Sequence, residues 1–365
     1  MLKEAVLKGP LGDIAEKVFQ GERLSREDGI RLMESNDLLA LGFLADFVRR
    51  RKVGDEVYFI NNAHINYTNI CRNLCRFCAF GRPAGAEGAY TLTLEEIAQK
   101  ARRYREYNPT EIHIVGGLNP ALPFSYYEDM LRTIKEILPN AHLQAFDAVE
   151  IDFLSEISGF SVEEVLLRLK KAGLGSLPGG GAEIFNPAIR KEICPRKISG
   201  ERWLKVHATA HKLGLRSNAT MLYGHIESLA DRVDHLLALR KQQDETGGFM
   251  AFIPLPFHPA NTQLAHLPPT TGYDDLKTLA VSRLLLDNFD HIKAFWIMLT
   301  PKVAQIALHF GVDDLDGTVR EEHIAHDAGA ETPQYHPAEE FLRLIREAGR
   351  IPVERDTLYN VVRRY

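Results

Sequence analysis

The sequence predicts an α/β fold: a TIM-like (β/α) barrel with an N-terminal helical extension and a C-terminal helix and extended tail. Three observations predict it. From residue 57 onward, short runs rich in β-branched and aromatic residues alternate with stretches whose apolar residues recur at helical spacing, the pattern of parallel crossovers. Several of the strand-like runs end in glycine turns, at Gly116-Gly117, Gly179-Gly180-Gly181 and Gly224. At 365 residues, 45% hydrophobic and 25% charged, the chain has the size of one decorated barrel and the composition of a globular protein with a large core.

Residues 1–50 read as the helical extension. Leu11, Ile14, Ala15 and Val18 share a face over residues 11–19. A second helix is expected over 26–34, with Ser25 and Asp28 as a capping pair. A third, over 38–50, ends in basic residues, as the helix dipole prefers. The barrel is expected over 51–320. Its strands are expected at 57–66, 111–115, 142–149, 174–177, 215–223, 249–254 and 292–299, with a shorter eighth unit near 310–315. Between them lie expected helices at 94–107, introduced by Thr93, and at 125–138. Others follow at 161–172, capped by Ser161 and stopped by Gly173, and at 200–213, 229–245 and 274–287, with one more after Pro301. Residues 321–365 form a C-terminal extension, with a last helix and an extended tail within 337–365. No internal repeat divides the chain, so the three regions read as one domain.

Bulk properties exclude several classes of function. The net charge is −5, with acids and bases interspersed, so no basic block argues for nucleic acid. No apolar run approaches a membrane span. The first residues carry an early acid, Glu4, and no long apolar stretch, so a secretory signal is not expected. A cysteine-poor chain of this kind belongs in a reducing cytoplasm.

The densest chemistry is the run Cys71-Arg72-Asn73-Leu74-Cys75-Arg76-Phe77-Cys78, which holds three of the four cysteines at C-x3-C-x2-C spacing. Three thiolates on one loop suit an iron–sulfur cluster. A four-iron cube held by three cysteines leaves one iron open to a ligand, as a catalytic zinc site does and a structural one does not. A structural zinc knot needs a second cysteine or histidine pair, which is missing near the loop. A disulfide framework suits small secreted chains. Cys194, remote and followed by proline, reads as a buried apolar residue.

Other candidates cluster at expected strand ends, where barrel chemistry sits. Gly116-Gly117 follows the second strand. Gly180 lies within three consecutive glycines, a run costly to order unless backbone must line a site or adopt positive φ; Glu183 follows it. His225 and Glu227 follow the fifth strand and are expected near the mouth. His258 follows the sixth. Arg72, Arg76 and Arg82 flank the cysteines as natural partners for carboxylates, and His64 and Asn66 lie on the strand that feeds them.

The cysteine spacing, with Phe77 just before the third cysteine, resembles the radical S-adenosylmethionine (SAM) superfamily. The resemblance implies a barrel of the radical SAM type. It implies a 4Fe-4S cluster on Cys71, Cys75 and Cys78 whose open iron chelates the amino and carboxylate groups of S-adenosylmethionine. An electron from the reduced cluster then yields methionine and a 5′-deoxyadenosyl radical. It also implies a cofactor-binding role for the Gly116-Gly117 turn; Phe77 beside the cysteines, Gly180 in the costly glycine run and Glu183, which could reach a ribose hydroxyl or an amine, are the other expected cofactor-binding residues. The strings INYTNICRNLCRFCAF, HIVGGLNP, LPGGGAEIF, KISGERWL, RSNATMLYGHIE and DETGGFMAFIPLPFHP resemble one branch of that superfamily. It contains aminofutalosine synthase, dehypoxanthine futalosine cyclase and the deazaflavin-forming enzymes. GGGAEIF with SNATMLYGHIE looks most like the synthase family, which works in the futalosine route to menaquinone. Asn119, where many relatives carry histidine, and Asp147 depart from the pattern.

That family adds the 5′-deoxyadenosyl radical to 3-[(1-carboxyvinyl)oxy]benzoate and releases a carboxylate carbon as bicarbonate, giving 6-amino-6-deoxyfutalosine. The strand-end positions of His225, Glu227 and His258 make them the expected catalytic residues, and the chemistry implied by the resemblance calls for a flavodoxin, ferredoxin or other reductase as electron donor. Two other readings stand beside it. The cyclase of the same pathway would abstract hydrogen and release free 5′-deoxyadenosine. A non-catalytic iron–sulfur carrier would not cleave S-adenosylmethionine.

Overall fold

The computed structural model describes residues 2–365. Four helices open the chain: α1 (Leu2–Lys8), α2 (Gly12–Gln20), α3 (Arg26–Glu34) and α4 (Leu38–Val53). The cap expected before α3 is present in full. Asp28 N–H donates to Ser25 Oγ at 3.1 Å, and Ser25 N–H donates to Asp28 Oδ2 at 2.9 Å. Gly29 on α3 lets the helix lie flat on its neighbours, since a Cβ there would sit 2.9 Å from Leu285 and 3.0 Å from Val233.

The expected strand at 57–66 is two strands. β1 (Glu56–Ile60) and β2 (Asn62–Ile65) belong to different sheets. The chain bends at Asn61, whose carbonyl accepts from Thr110 N–H and whose side-chain amide donates to the carbonyls of Tyr107 and Asn108. A run with one composition throughout thus changes ladder partners midway, and composition alone carries no signal for that.

From β2 the chain alternates. In order come α5 (Leu94–Tyr104), β3 (Glu111–Ile114), α6 (Phe124–Ile137), β4 (His142–Ala145), α7 (Ala148–Ser158), α8 (Val162–Ala172) and β5 (Leu174–Leu177). Next are α9 (Pro187–Ile193), α10 (Gly200–Lys212), β6 (Arg216–Tyr223), α11 (Leu229–Thr246), β7 (Phe249–Pro256), α12 (Gly272–Leu285) and β8 (His291–Ile292). β2 to β8 pair in sequence order, all parallel, as one curled seven-stranded sheet. This is the α/β architecture that the alternation predicts. In register, His64 lies beside His113, His113 beside Gln144, and Gln144 beside Ser176, which stacks polar side chains across a sheet whose other positions are mostly apolar.

Two expected strands are shorter than expected. β4 stops at Ala145 because Phe146 takes a left-handed φ of 59°. Asp147 then caps α7, a helix the sequence reading missed, through a complete capping box with Glu150. β8 stops at Ile292, and residues 296–299 are helical instead of extended. Ala294 N–H donates to Asp314 O and Trp296 Nε1 donates to Gly317 O, which turns the chain off the sheet.

The last elements are α13 (Trp296–Leu299), α14 (Pro301–Ala307), β9 (Asp314–Gly317), α15 (Ile324–Asp327), α16 (Ala338–Glu347), β10 (Ile351–Arg355) and β11 (Val361–Arg364). β9 and β10 flank β1 in a second sheet of order β11-β10-β1-β9. The eighth unit expected near 310–315 is β9, and it joins this sheet. The tail is paired as β10 and β11. A parallel bridge between Lys293 and Asp314 joins the two sheets after β8. Val319 N–H on Asn62 Oδ1 and His64 N–H on Arg320 O tie the segment after β9 to β2. The curl is therefore closed by the 314–320 segment, and the strands surround one cavity. Among the described residues no helix is long and apolar enough to cross a membrane.

Candidate active site

A cavity of about 320 Å³ opens at the C-terminal ends of the strands. Cys71, Cys75 and Cys78 all line it; Cys194 does not. The loop that carries them is fixed from both sides. Cys71 N–H donates to Arg82 O, Arg72 N–H to Leu118 O, and Arg76 N–H to Ile193 O. Burial pushes the Cys75 thiol up to about 12 and also raises that of Cys78. Buried thiols of this kind ionise readily only beside a strong positive charge, such as iron supplies. Three cysteines line one cavity and Cys194 does not, a donor set whose chemistry fits a 4Fe-4S cluster with one open iron.

The Gly116-Gly117 turn packs directly on that loop. A Cβ on Gly116 would sit 2.7 Å from the Tyr67 ring, and one on Gly117 would sit 2.3 Å from the Ile70 carbonyl oxygen and 3.0 Å from Cys71 Cβ. Their N–H groups are spent internally: Gly116 donates to Glu150 Oε1 at 3.2 Å and Gly117 to Thr68 O at 2.8 Å. Both glycines line the cavity. The first requirement of Gly117 is close approach to the cysteine loop, and that of Gly116 is close approach to the Tyr67 ring. Glu150 also accepts from Tyr67 Oη at 2.6 Å and from Asp147 N–H at 2.8 Å. Burial, with Asp147 beside it, holds its carboxyl well above the usual range.

The second glycine run has the same logic. Gly179 takes φ 88°, and a Cβ there would strike Asn218 O at 2.3 Å. Gly181 takes φ 80° against Val149. Gly180 has ordinary room, 3.4 Å from Asp147 Oδ2, and its carbonyl accepts from Trp203 Nε1. Gly180 and Gly181 face the cavity.

Glu183 lines the cavity and adopts φ 50°, in the left-handed region. Its Oε1 accepts from Lys197 Nζ at 2.5 Å, both side chains being almost fully buried. The Lys197 ammonium also lies over the Phe77 ring, 5.3 Å from its centroid. Burial alone would push the Lys197 ammonium down; Glu183 outweighs it, and the group is raised well above its usual range. Phe77, Lys197 and Glu183 thus form one unit on the wall beside the cysteines. The sequence reading singled out Phe77 and Glu183 but missed Lys197.

His225 and Glu227 follow β6 as expected, yet neither lines the cavity. The His225 side chain is fully buried. Its Nδ1 lies 2.7 Å from Ile226 N and 3.0 Å from Glu227 Oε2, and its Nε2 lies 3.2 Å from Leu222 O. Glu227 accepts from Gly224 N–H, His225 N–H and Arg232 Nε at 2.6, 2.9 and 2.8 Å. Burial pushes its carboxyl up, but His225, Arg232 and the Gly224 N–H outweigh this and hold it at about 2. The expectation that the pair faces the mouth is not met: it staples the turn between β6 and α11. His258 does line the cavity, and its Nε2 donates to Met298 O at 2.9 Å.

The flanking arginines are engaged on the surface. Arg72 pairs with Glu156 and lies over Phe153, Arg76 pairs with Glu192, and Arg82 donates to Ala79 O. Asn119 is buried outside the cavity, where its amide donates to Thr91 Oγ1 and its Oδ1 accepts from Ala121 N–H. Asn66 braces the segment after β9 by accepting from His323 N–H. On the strands below lie His64, His113, Gln144, Lys293 and Asp316, all lining the cavity. Only His64 of these was singled out. Lys293 directly follows β8, so the strand-end rule reaches it only once that strand is seen to stop at Ile292.

A radical SAM superfamily model matches residues 65–239, and a CofH/MqnC C-terminal region model matches 246–364. The chain belongs to the radical SAM superfamily. It is 51% identical over 354 residues to an aminodeoxyfutalosine synthase of Thermus thermophilus, covering 96% of this chain and 95% of that one. It is 48% identical to the aminodeoxyfutalosine synthase of Streptomyces coelicolor, covering 97% and 94%. A 5-amino-6-(D-ribitylamino)uracil–L-tyrosine 4-hydroxyphenyl transferase of Methanothermobacter thermautotrophicus is 42% identical, covering 93% and 95%. The crystal structure of methylornithine synthase (PylB) superposes with a TM-score of 0.73 at 18% identity, covering 92% of this chain and 96% of that one, which shows the shared fold. The protein is therefore a radical SAM enzyme. Its family uses a 4Fe-4S cluster and S-adenosylmethionine, and Cys71, Cys75 and Cys78 lie within the matched radical SAM region. The carrier reading is thereby set aside.

Proposed function

We propose that the enzyme joins the 5′-deoxyadenosyl group of S-adenosylmethionine to 3-[(1-carboxyvinyl)oxy]benzoate in menaquinone biosynthesis. The products are 6-amino-6-deoxyfutalosine, methionine and bicarbonate. The observation that carries this reading is the near full-length identity of 51% to an aminodeoxyfutalosine synthase. The cavity supports it, being enclosed by strands and lined by three thiols together with apolar and aromatic side chains.

When bound on Cys71, Cys75 and Cys78, the cluster with S-adenosylmethionine supplies the 5′-deoxyadenosyl radical. A small flavodoxin- or ferredoxin-type reductant provides the electron. The chain's own residues do the rest. The Gly116-Gly117 turn and the glycines at 180 and 181 let backbone close on the cofactor without side chains in the way. Phe77 and Glu183 hold Lys197 on the wall beside the cysteines. The hydrogen bond from His258 Nε2 to the Met298 carbonyl fixes the ring and leaves Nδ1 to meet substrate. His225 and Glu227 act by fixing the β6–α11 turn. Phe257, Leu255 and Ile253 form an apolar wall that excludes water from a reactive radical.

A second reading is favoured by the 42% identity to the hydroxyphenyl transferase: radical transfer between L-tyrosine and the ribitylaminouracil. The test is anaerobic reconstitution with iron and sulfide, dithionite reduction, and incubation with S-adenosylmethionine and each candidate substrate in turn. Mass spectrometry of an adenosyl–benzoate adduct supports the first reading. Consumption of tyrosine and the ribitylaminouracil instead supports the second. Free 5′-deoxyadenosine with the carboxyvinyloxybenzoate untouched removes the first reading and returns the cyclase.

A further inference from the structure

Among the described residues, two cationic side chains line the cavity besides histidines, Lys197 and Lys293. They differ in one respect. Lys197 is committed to Glu183 at 2.5 Å. Lys293 has a side chain only 5% exposed, and its closest anionic atom is Asp316 Oδ2 at 3.8 Å, beyond hydrogen-bond reach. A lysine ammonium carries three N–H donors, and those of Lys293 have no protein acceptor among the described residues. An ammonium without a protein acceptor in so enclosed a place is costly unless solvent or a ligand completes it. It is retained where a ligand completes it.

The surroundings suit an anion bound by one strong donor. His64 and His113 stack at 4.6 Å between ring centroids. Burial holds both imidazoles below their usual range, so neither adds a competing cation. Asp316, on β9 with a left-handed φ of 64°, has its carboxyl raised by burial, which Lys293 opposes from beyond hydrogen-bond reach. Glu111 is the other anion nearby: its Oε1 accepts from Asn62 Nδ2 at 3.3 Å, and although burial pushes its carboxyl up, Lys293, His113 and Arg355 outweigh this and hold it below its usual range. Phe295 and Met298, on the same stretch as Lys293, add apolar wall where an aromatic ring would lie.

We propose that Lys293 anchors a carboxylate of the substrate, namely the ring carboxylate at the end remote from the reacting double bond. This rests on the carboxyvinyloxybenzoate reading above. The reacting end belongs beside the cysteine loop, above the strands. Lys293, at the end of β8 among the strand-borne polar residues, meets the end that reaches deepest. The site would take an aryl carboxylate and reject its neutral counterpart.

The test compares the benzoate with its ring carboxamide, 3-[(1-carboxyvinyl)oxy]benzamide, on wild-type, Lys293→Gln and Lys293→Arg enzyme. Adduct formation and calorimetric binding are both measured, with iron content and circular dichroism as checks of folding. A charged hydrogen bond of this kind predicts a loss on the order of 30-fold in affinity for the amide on wild-type enzyme. Lys293→Gln should lose a similar factor on the acid, mainly in KM, and little more on the amide; Lys293→Arg should recover most of it. Equal affinity of wild-type enzyme for acid and amide overturns the anchor even if no variant folds. So does an iron-replete Lys293→Gln that binds the acid as wild type does. A wild-type enzyme that makes no adduct from either compound overturns the functional reading and the anchor with it.

Discussion

Gly117→Ala probes how the fold holds the cysteine loop. The added methyl carbon would lie 2.3 Å from Ile70 O, 2.7 Å from Ile70 C and 3.0 Å from Cys71 Cβ. Two of these are backbone atoms, one residue from the first thiol, so no flexible side chain can give way. Overpacking of buried sites costs about 1–3 kcal/mol, and a clash against backbone belongs at the upper end, about 3 kcal/mol. Unfolding entropy of about 2.1 cal/mol/K per residue over 365 residues gives ~0.8 kcal/mol/K. The melting temperature should therefore fall by about 4 °C. Gly272→Ala is the matched control, since its Cβ would meet only Val303 at 3.8 Å. It should melt within about 1 °C of wild type. The assay is thermal unfolding by circular dichroism before and after anaerobic reconstitution, with iron and sulfide counted. Gly117→Ala should also bind less iron, because relief of the clash moves Cys71. If Gly117→Ala melts with wild type and loads iron fully, the claim that this glycine exists to seat the cysteine loop is refuted.

Three other outcomes follow from the same geometry. Cys71→Ala, Cys75→Ala and Cys78→Ala should each abolish cleavage of S-adenosylmethionine and lower iron content, while Cys194→Ala should keep both; iron analysis with methionine release decides. Lys197→Met leaves Glu183 buried without its partner and should cost about 3–5 kcal/mol, whereas Lys197→Met with Glu183→Gln should recover part of that in denaturant titrations. A single variant as stable as the double one contradicts the pairing. The carboxyl of Glu227 is depressed from 4.5 to about 2 in the folded protein. Its contribution is thus complete above pH ~4.5 and lost as pH falls toward 2, amounting to on the order of 3 kcal/mol. Glu227→Gln should flatten that limb of a stability–pH curve, and an unchanged limb would remove Glu227 from the account.

The cysteine loop was legible because its chemistry is local: three ligands within eight residues need no tertiary information. Helix caps were legible for the same reason, as at Ser25, Thr93 and Ser161. The strand that became β1 and β2 was not, because the choice of ladder partner is made by Asn61 and the distant Thr110. α7 was hidden because Phe146 and Asp147 end a strand and start a helix within two residues, inside an apolar run. His225 and Glu227 were placed at the correct strand end, but their burial depends on Arg232, one helical turn into α11. Lys197 and Lys293 carry no signature in the sequence. A lysine is ordinarily solvated, and only the closed curl of strands shows that these two are not.

Addition of the adenosyl carbon to the substrate, in place of hydrogen abstraction, is the central claim. S-adenosylmethionine carrying two deuterium atoms on the 5′ carbon tests it most directly. Incubation with the reduced enzyme and 3-[(1-carboxyvinyl)oxy]benzoate should yield one adduct per methionine, with both deuterium atoms retained and little free 5′-deoxyadenosine. Free 5′-deoxyadenosine that has gained a hydrogen from the substrate, in step with methionine release, would contradict it.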